Sequence, residues 1–267
     1  MKRTLYFLIV LTSICCSLSA DDIKEDQIDI HDQKFLFVSL GSICRTADIL
    51  RQCELRTCAF PFDWIISTDG EKLIEILDTD FRGFITNEVP FLDESISLSR
   101  GGLTLLHPYY HLEFTHESAK NEIGMYFVDW QKFHSKFQRR IDRFRQLEHF
   151  KGKVFFIRTS WYDCTVDPYL SYRCYENIDI SDEYALKLFE ALKRRFPVLD
   201  FSLIIQNHSY GRGIVVKKIT ENVWMVRNNP DPLSEFFYEA LSELKEWYQE
   251  LLEYSDLVKR KCKCSNQ

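Results

Sequence analysis

Short apolar runs alternate with amphipathic stretches along this chain, and that order predicts strands separated by helices. Four runs of strand length are rich in Phe, Val and Ile, namely 34–40 (KFLFVSL), 153–158 (KVFFIR), 201–206 (FSLIIQ) and 223–226. Shorter strand-like pieces lie around 102–106 and 109–114. Continuous apolar strands between helices are typical of an α/β fold. We therefore predict three layers, with a mostly parallel sheet covered by helices on both faces.

Helical periodicity is clearest in the segment 130–150. There, apolar residues recur at spacings of three and four, as Phe133, Phe137, Ile141, Phe144 and Leu147. Another helix is predicted to begin after Ser181, a residue type that favours N-caps, and to end near residue 195. Further helices are predicted over 43–52, 70–77 and 233–254, and an aromatic loop over 59–64.

The first 20 residues have the pattern of a secretory signal peptide. Lys2 and Arg3 form a basic start, a mostly apolar run follows, and cleavage is expected after Ser19 or Ala20. The apolar run is shorter than the ~20 residues of a membrane span, which disfavours an anchor. We therefore expect a protein that is secreted or lies in the lumen of the ER or secretory pathway, with no stable membrane span after cleavage. The rest is predicted to form a polar arm, one α/β domain and a basic cysteine-containing tail, over 21–33, 34–255 and 256–267.

Composition and charge exclude several classes of protein. The chain has 267 residues, of which 45% are hydrophobic and 28% charged, so it is neither disordered nor of low complexity. Its formal net charge of -6 argues against a nucleic-acid partner held by bulk positive charge. The length is sufficient for a single buried core.

Seven of the nine cysteines follow the predicted signal peptide, in a compartment where disulfides persist. Because seven is odd, at least one thiol is expected to be left over unless it pairs between chains. Cys164 with Cys174, and Cys53 with Cys58, are possible local pairs. The two cysteines of the tail are too close together for a usual zinc pair, and we predict no metal site and no cofactor.

The segment 38–51 (VSLGSICRTADILR) carries the strongest candidate chemistry. A buried strand ends at Gly41 and Ser42, and a helix then begins with Cys44 in its first turn. Functional groups gather at the carboxyl ends of strands in α/β proteins, and a helix N-terminus stabilises a thiolate. Cys44 is therefore the best-placed nucleophile, although a buried structural cysteine or half of a disulfide is the alternative. Ser42 is a weaker rival nucleophile, and Gly41 and Ser42 could instead hold an anion.

A thiol nucleophile needs a base, and the chain has seven histidines. The candidates outside the acidic arm and the long surface helix are His107, His111, His116 and His208. His116 follows a strand-like piece and precedes Glu117. His208 follows the strand at 201–206, at the edge where catalytic residues often lie. The residues alone leave this choice open.

Several blocks resemble a bacterial and eukaryotic domain family of unknown function that is described as papain-like cysteine peptidases. The first and most specific block is VSLGSICRTADILRQCELRTCAFPFDWIIS, over 38–67. Weaker blocks follow in the same order at 110–117 (YHLEFTHE), 137–144 (FQRRIDRF), 154–159 (VFFIRT) and 203–209 (LIIQNHS). The similarity runs from about residue 34 to residue 250.

This resemblance implies an enzyme with a Cys–His pair. By position, Cys44 would be the nucleophile and His116 the base, with Asp63, Glu117 or Asn207 as the group that orients the imidazole. The same resemblance implies a papain-like α+β fold as the alternative to the layered α/β fold. We therefore predict a secreted or lumenal thiol hydrolase that performs acyl transfer on a peptide or glycan substrate. Backbone N–H groups near Ser42 to Cys44 would hold the oxyanion.

Other interpretations stay open. Asn207 begins the sequon Asn-His-Ser, and a glycosylated Asn207 would not be a buried orienting residue. Arg139 and Arg140 on the long helix, together with Arg158 at a strand's end, could bind a phosphate, sulfate or carboxylate. The protein would then be a lumenal transferase, or an anion- or glycan-binding protein without thiol catalysis. In a third case the domain is not catalytic at all.

Overall fold

The structure, a computed structural model, describes residues 30–42, 44–52, 55–67, 69–86, 104–124, 126–159, 181–208 and 215–228. The predicted signal peptide, most of the predicted arm, the helix at 233–254 and the tail lie outside these residues and stay predictions. Cys53, Cys164, Cys174, Cys262 and Cys264 also lie outside them. Within the described residues, Cys44 and Cys58 are reduced thiols and no disulfide is formed.

The described part of the chain folds into short and long strands and four α-helices. The strands are β1 (Phe35–Ser39), β2 (Ile65–Ser67), β3 (Leu105–His107), β4 (Leu112–Phe114), β5 (Ser118–Lys120), β6 (Tyr126–Val128), β7 (Lys153–Thr159), β8 (Phe201–His208), β9 (Val215–Thr220) and β10 (Val223–Asn228). The helices are α1 (Cys44–Gln52), α2 (Gly70–Asp78), α3 (Trp130–Gln146) and α4 (Asp182–Arg195). Short 3-10 helices span Ile30–Asp32 and Leu147–His149.

The largest sheet has the strand order β1-β7-β8-β10-β9. The pairs β1–β7, β7–β8 and β8–β10 are parallel, and β9 pairs antiparallel with β10 at the edge. In this register Phe37 lies opposite Phe155, and Phe156 lies opposite Leu203. A mixed, mostly parallel sheet with helices between its strands confirms the predicted α/β class. The three-layer arrangement stays a prediction.

Both faces of β1 and β7 are apolar. One face adds to the main core through Leu36, Val38, Val154 and Phe156. The other carries Phe37 and Phe155, whose rings stack 5.0 Å apart and pack against Leu50 of α1. Because successive side chains of a strand point to opposite faces, apolar faces on both sides explain the continuous apolar runs in the sequence. The same packing fixes α1 on the face opposite the main core.

A second, antiparallel sheet has the order β2-β4-β3. Its central strand β4 places Phe114 opposite Ile65 and Leu112 opposite Ser67. The hairpin of β5 and β6 follows directly after β4. Because β2 continues the aromatic loop at 59–64, this small sheet brings the first sequence block against the block around β4.

Three of the helices begin at a capping side chain. The Ser181 hydroxyl accepts a backbone N–H of the first turn of α4 at 3.1 Å, which confirms the predicted cap. Asp69 and Asp129 cap α2 and α3 in the same way. The predicted helix at 130–150 is α-helical as far as Gln146 and ends in a 3-10 turn. None of the described helices is long and apolar enough to cross a membrane.

Candidate functional site

The turn between β1 and α1 requires a glycine at position 41. Gly41 has a φ of 75°, in the left-handed region that favours glycine. A Cβ atom at this position would lie 2.3 Å from Ser67 Oγ, so the available space also disfavours a side chain. Ser42 follows with a φ of 28°. The chain therefore bends sharply at these two residues before α1 begins at Cys44.

Backbone groups of this turn are hydrogen-bonded within the fold. Gly41 donates its N–H to Ser39 Oγ at 3.1 Å, and its carbonyl accepts the Thr46 hydroxyl at 3.0 Å. The Ser42 carbonyl accepts the N–H of Ser67 at 2.8 Å. The Ser42 hydroxyl is buried and has no hydrogen-bond partner among the described residues. A buried hydroxyl without a partner costs free energy, so Ser42 Oγ is a place where a bound group would be stabilised.

Arg158 joins the end of β1 to β2. Its side chain is fully buried, and it donates to the Leu40 carbonyl at 2.8 Å and to the Ser67 carbonyl at 2.7 Å. Burying a guanidinium group is costly, and hydrogen bonds to the two carbonyls offset part of that cost. The predicted anion-binding role of Arg158 stays a prediction, beside this structural role.

Cys44 is the first residue of α1, and its reduced thiol is half-buried. The first N–H groups of a helix lack partners inside the helix, and they form a positive end that stabilises a thiolate. The helix is fixed to the sheet by Leu50 and by the hydroxyl of Thr46, which lies 2.6 Å from Thr159 Oγ1. Cys58 is only 2% exposed. The two thiols therefore differ in access, and Cys44 is the more accessible one.

A tight turn at Phe60 to Asp63 organises the P-F-D-W part of the first block. The Asp63 carboxylate accepts the N–H of Phe60 at 3.2 Å, and the Asp63 N–H donates to the Phe60 carbonyl at 3.1 Å. Pro61 occupies the second position, where its fixed φ suits such a turn. Phe62 is fully buried in the core. The turn thus presents Asp63 and Trp64 at the start of β2.

Asp63 is 2% exposed, and its side chain is used inside this loop. Its Oδ2 atom accepts Arg56 Nε at 3.0 Å, and Arg140 Nη1 donates to the Asp63 carbonyl at 3.2 Å. Burial raises the pKa of Asp63, while the two guanidinium groups oppose that rise. Among the described contacts, the Asp63 carboxylate has no hydrogen bond to His116. The predicted orienting role of Asp63 thus stays a prediction.

His116 lies beside Trp64, two residues after β4. The imidazole and indole rings meet edge to face, with centroids 5.9 Å apart and an interplanar angle of 90°. Its Nε2 atom is buried and has no hydrogen-bond partner in the described part of the chain. Burial lowers the pKa of His116, and the neighbouring Glu117 carboxylate opposes this effect. A neutral imidazole with an available nitrogen is the form that a general base requires.

Glu117, the other acidic candidate next to His116, is held by α3. Lys136 Nζ lies 2.8 and 3.0 Å from its two carboxylate oxygens, and the Glu117 side chain is 5% exposed. This ion pair anchors the segment after β4 to α3. The carboxylate of Glu117 is therefore directed to Lys136, and the described contacts include no hydrogen bond from it to the imidazole.

The remaining site predictions fall at separate places. Asn207 and His208 are the last two residues of β8, opposite the end of β10, and their side chains lie outside what the structure describes. Arg139 is exposed on α3, whereas Arg140 is 4% exposed beside the aromatic turn and Arg158 lies at the β1–β2 junction. The catalytic, anion-binding and glycosylation roles of these residues stay predictions. In the described ranges, no group of three or more His, Cys, Asp or Glu residues is placed to hold a metal ion.

One residue of this region is absent from the sequence candidates. The sequence favours a core position for Trp64 over a role in a substrate platform, and the residue is 8% exposed. In the structure, the guanidinium groups of Arg51 and Arg56 lie 5.2 and 5.7 Å from the centroid of its ring, and His116 meets its edge. Two arginines close to the tryptophan in the first block are the sequence signal that could have indicated this cluster.

A comparison with known families gives a match over a large part of the chain. The family model described as "Putative papain-like cysteine peptidase (DUF1796)" matches residues 35–211, which is more than half of the chain. The chain belongs to this family. The match begins at β1 and spans Cys44, the aromatic turn and His116, and it confirms the resemblance inferred from the sequence. No curated protein and no solved structure matches this family member.

Proposed function

We propose that the protein is a thiol hydrolase in which Cys44 is the nucleophile and His116 the general base. The observation that carries this proposal is the position of Cys44. Its half-buried, reduced thiol stands at the N-terminus of α1, directly after the sharp turn at the carboxyl end of β1. Such an environment lowers the pKa of a cysteine below the free value of ~8.5. Membership of a family described as cysteine peptidases supports the same reaction class.

In the proposed reaction, His116 takes the proton of the Cys44 thiol, and the sulfur attacks the carbonyl carbon of the substrate. N–H groups in the first turn of α1 stabilise the oxyanion of the tetrahedral intermediate. When the intermediate collapses, the C–N bond breaks and His116 gives its proton to the leaving amine. Water then adds to the thioester carbon and yields a proton to His116. The C–S bond breaks, the carboxylic acid leaves, and the proton returns to the sulfur.

We further propose that this reaction takes place outside the cell or in the lumen of the secretory pathway, on a peptide substrate. The signal-peptide pattern at 1–20 supports the location, and the sequon at Asn207 is compatible with it. The name of the family supports an amide substrate over a glycan.

Alkylation with iodoacetamide across a range of pH tests the proposal. We expect Cys44 to react well below the free thiol pKa of ~8.5, with the modified residue identified by mass spectrometry. Cys58 is the matched control, because it is also a reduced thiol but is buried. Cys44→Ala should remove the reaction at low pH, and Cys58→Ala should not. His116→Gln should move the pH dependence of the Cys44 reaction towards that of a free thiol.

Two results would contradict the thiol hydrolase. One is a Cys44 that reacts only when the protein unfolds. The other is a Cys44 whose reaction rises with pH as that of an ordinary cysteine does. In either case the fold would have a cysteine at the right position without the activation that catalysis needs.

One observation favours an anion-binding protein or transferase as the second candidate. Arg158 Nε and Ser42 Oγ are both buried near the end of β1, and neither has a hydrogen-bond partner among the described residues. Each of these two groups can donate a hydrogen bond to a phosphate or sulfate oxygen. This function predicts that a nucleotide or a sulfated glycan raises the Tm and that Cys44→Ala leaves activity intact. A thiol hydrolase predicts that Cys44→Ala abolishes activity.

A further inference from the structure

Trp64 contacts both of the elements that carry the proposed catalytic pair. Arg51 of α1, the helix that begins at Cys44, places its guanidinium group 5.2 Å from the centroid of the indole ring. His116 meets the same ring edge to face, with centroids 5.9 Å apart. Trp64 itself is 8% exposed, so the contact with His116 lies largely away from solvent.

The backbone of Trp64 adopts an unusual conformation. Its φ of 64° lies in the left-handed region, which is unfavourable for a residue with a large side chain. Such a conformation persists only where the surroundings hold it, and it is most common at functional sites. The unusual backbone of Trp64 therefore indicates a role for the side chain that it directs.

The surroundings that hold Trp64 come from three parts of the chain. Arg56 lies with its guanidinium group 5.7 Å from the centroid of the indole ring, and its Nε donates to Asp63 at 3.0 Å. Arg140 of α3 donates to the Asp63 carbonyl at 3.2 Å. The residue before Trp64 is therefore fixed from both its side chain and its backbone. The direction of the indole follows from that fixed turn.

The two acidic candidates for orienting His116 are directed elsewhere. The Asp63 carboxylate is hydrogen-bonded to Arg56 and to the backbone, and the Glu117 carboxylate is paired with Lys136. Neither makes a described hydrogen bond to the imidazole. The contact with Trp64 is thus the described ring contact that restricts the plane of His116. Edge-to-face contacts between rings are directional, so they restrict the orientation of both rings.

We propose that Trp64 is the positioning residue for His116, setting the plane of the imidazole and shielding it from water. This inference rests on the proposed function of Cys44 and His116. An aromatic ring here has an orienting task of the kind that the sequence assigned to an acidic or amide side chain, and the prediction for Asn207 stays open beside it. Trp64 takes no proton and forms no bond to the substrate. It acts through His116 alone.

Three variants test this role. Trp64→Leu removes the ring, and Trp64→Phe keeps an aromatic ring at the same position. Trp130→Leu is the matched control, because Trp130 of α3 also meets a histidine, His134, with ring centroids 6.4 Å apart. Two quantities are measured in the full-length protein. One is the pKa of His116 by NMR of labelled histidine, with its signal assigned by His116→Gln, and the other is the rate of Cys44 alkylation as a function of pH.

We expect Trp64→Leu to raise the pKa of His116 towards the ordinary histidine value of about 6.5, because water reaches the ring. The alkylation rate of Cys44 at neutral pH should fall about tenfold or more, because the base is no longer held in position. Trp64→Phe should restore much of both quantities. Trp130→Leu should leave both unchanged, since its ring contacts a different histidine.

A folded Trp64→Leu protein with an unchanged His116 pKa and an unchanged Cys44 profile would overturn the inference. If Trp64→Leu does not fold, Trp64→Phe tests the inference instead, with Trp130→Phe as its control. The smaller ring at position 64 should shift the His116 pKa more than the same change at position 130 does. Equal shifts would again overturn the inference. A wild-type Cys44 that reacts as an ordinary thiol overturns the proposed function instead. In that case the effect of Trp64→Leu on the His116 pKa still tests the Trp64 contact, so the two failures can be told apart.

Discussion

The hydroxyl groups of Thr46 in α1 and Thr159 at the end of β7 lie 2.6 Å apart, and both residues are buried. Thr46 also donates to the Gly41 carbonyl at 3.0 Å. With that bond made, the hydroxyl of Thr159 is the donor between the two threonines. One pair of hydroxyl groups therefore connects β7, the helix of Cys44 and the turn before it.

Thr46→Val should remove both hydrogen bonds and leave the Thr159 hydroxyl buried without its partner. We expect the free energy of unfolding to fall by about 1–3 kcal/mol, measured by urea denaturation. Thr220→Val on the exposed edge strand β9 is the control, with an expected change within about 0.5 kcal/mol. Equal effects of the two substitutions would show that the pair of hydroxyl groups contributes no stability.

Alanine substitutions at Gly41 and Gly124 distinguish the effect of backbone strain from the effect of a steric clash with the new Cβ atom. Both have a positive φ, 75° and 81°, but only Gly41 is enclosed, since nothing lies within 4 Å of a Cβ atom at Gly124. Gly124→Ala should lower the free energy of unfolding by about 1 kcal/mol through strain alone. Gly41→Ala should cost at least about 1 kcal/mol more, because its Cβ atom displaces Ser67 Oγ in a buried site. Chemical denaturation measures both, and a difference near zero would contradict the steric role of the turn.

Removal of the Arg158 guanidinium should be far more harmful than removal of a surface arginine. Arg158→Met leaves the Leu40 and Ser67 carbonyls without their donors, so we expect a loss of at least about 2 kcal/mol in the free energy of unfolding. Arg194→Met is the control, because Arg194 pairs with Asp78 at the surface and should contribute less than about 1 kcal/mol. If a bound anion rather than the fold needs Arg158, Arg158→Met will retain its stability and lose binding.

Stability should fall in mild acid because of two histidines, the buried His107 and the partly buried His116. His107 Nδ1 accepts the N–H of Tyr110 at 3.2 Å, and Nε2 lies 2.8 Å from the Gly83 carbonyl, so the neutral ring satisfies both contacts. Burial lowers the pKa of His107, as it does that of His116. The unfolded chain, with histidine pKa values of about 6.5, therefore binds more protons than the folded protein does.

The sign of this dependence follows from the lowered pKa values. The stabilisation is fully present above pH ~6.5 and is lost as the pH falls from there towards the folded-state pKa of each histidine. Urea midpoints across this range measure it. His107→Gln should flatten the dependence, whereas His149→Gln on the exposed 3-10 turn should not. An acid-side slope that His107→Gln and His116→Gln both leave unchanged would assign the effect to other groups.

Elements with a strong local signal were predictable, and elements that depend on distant neighbours were not. The Ser181 cap and the apolar run of β1 lie within one element each, so the sequence is sufficient to find them. Strand β9 carries Lys217 and Lys218, both exposed, and has no continuous apolar run. Strand β2 has only three residues and directly follows the aromatic loop at 59–64, so it shows no strand pattern of its own in the sequence.

The candidate site also has parts that the sequence predicts and parts that it does not. A strand, a sharp turn and a helix beginning at Cys44 are consecutive, so their geometry is readable from residue order. An arginine at a strand's end has the same sequence pattern whether it binds a ligand or a carbonyl, and only the folded chain brings Leu40 and Ser67 to Arg158. The contact of Trp64 with His116 is also made between separate blocks. The positive φ of Trp64 is what indicates a function for this contact, and amino-acid composition does not encode that backbone angle.

The surroundings of Cys44 are completed by residues that are synthesised much later. Arg158 bonds to residues 118 and 91 positions before it, and Arg140 reaches Asp63 across 77 positions. Contacts of such long range form late, because large loops must close first. A growing chain that ends before Arg158 has α1 and its cysteine but not the guanidinium that closes the adjoining turn. During synthesis the turn before Cys44 thus gains the hydrogen bonds from Arg158 only when β7 joins the sheet.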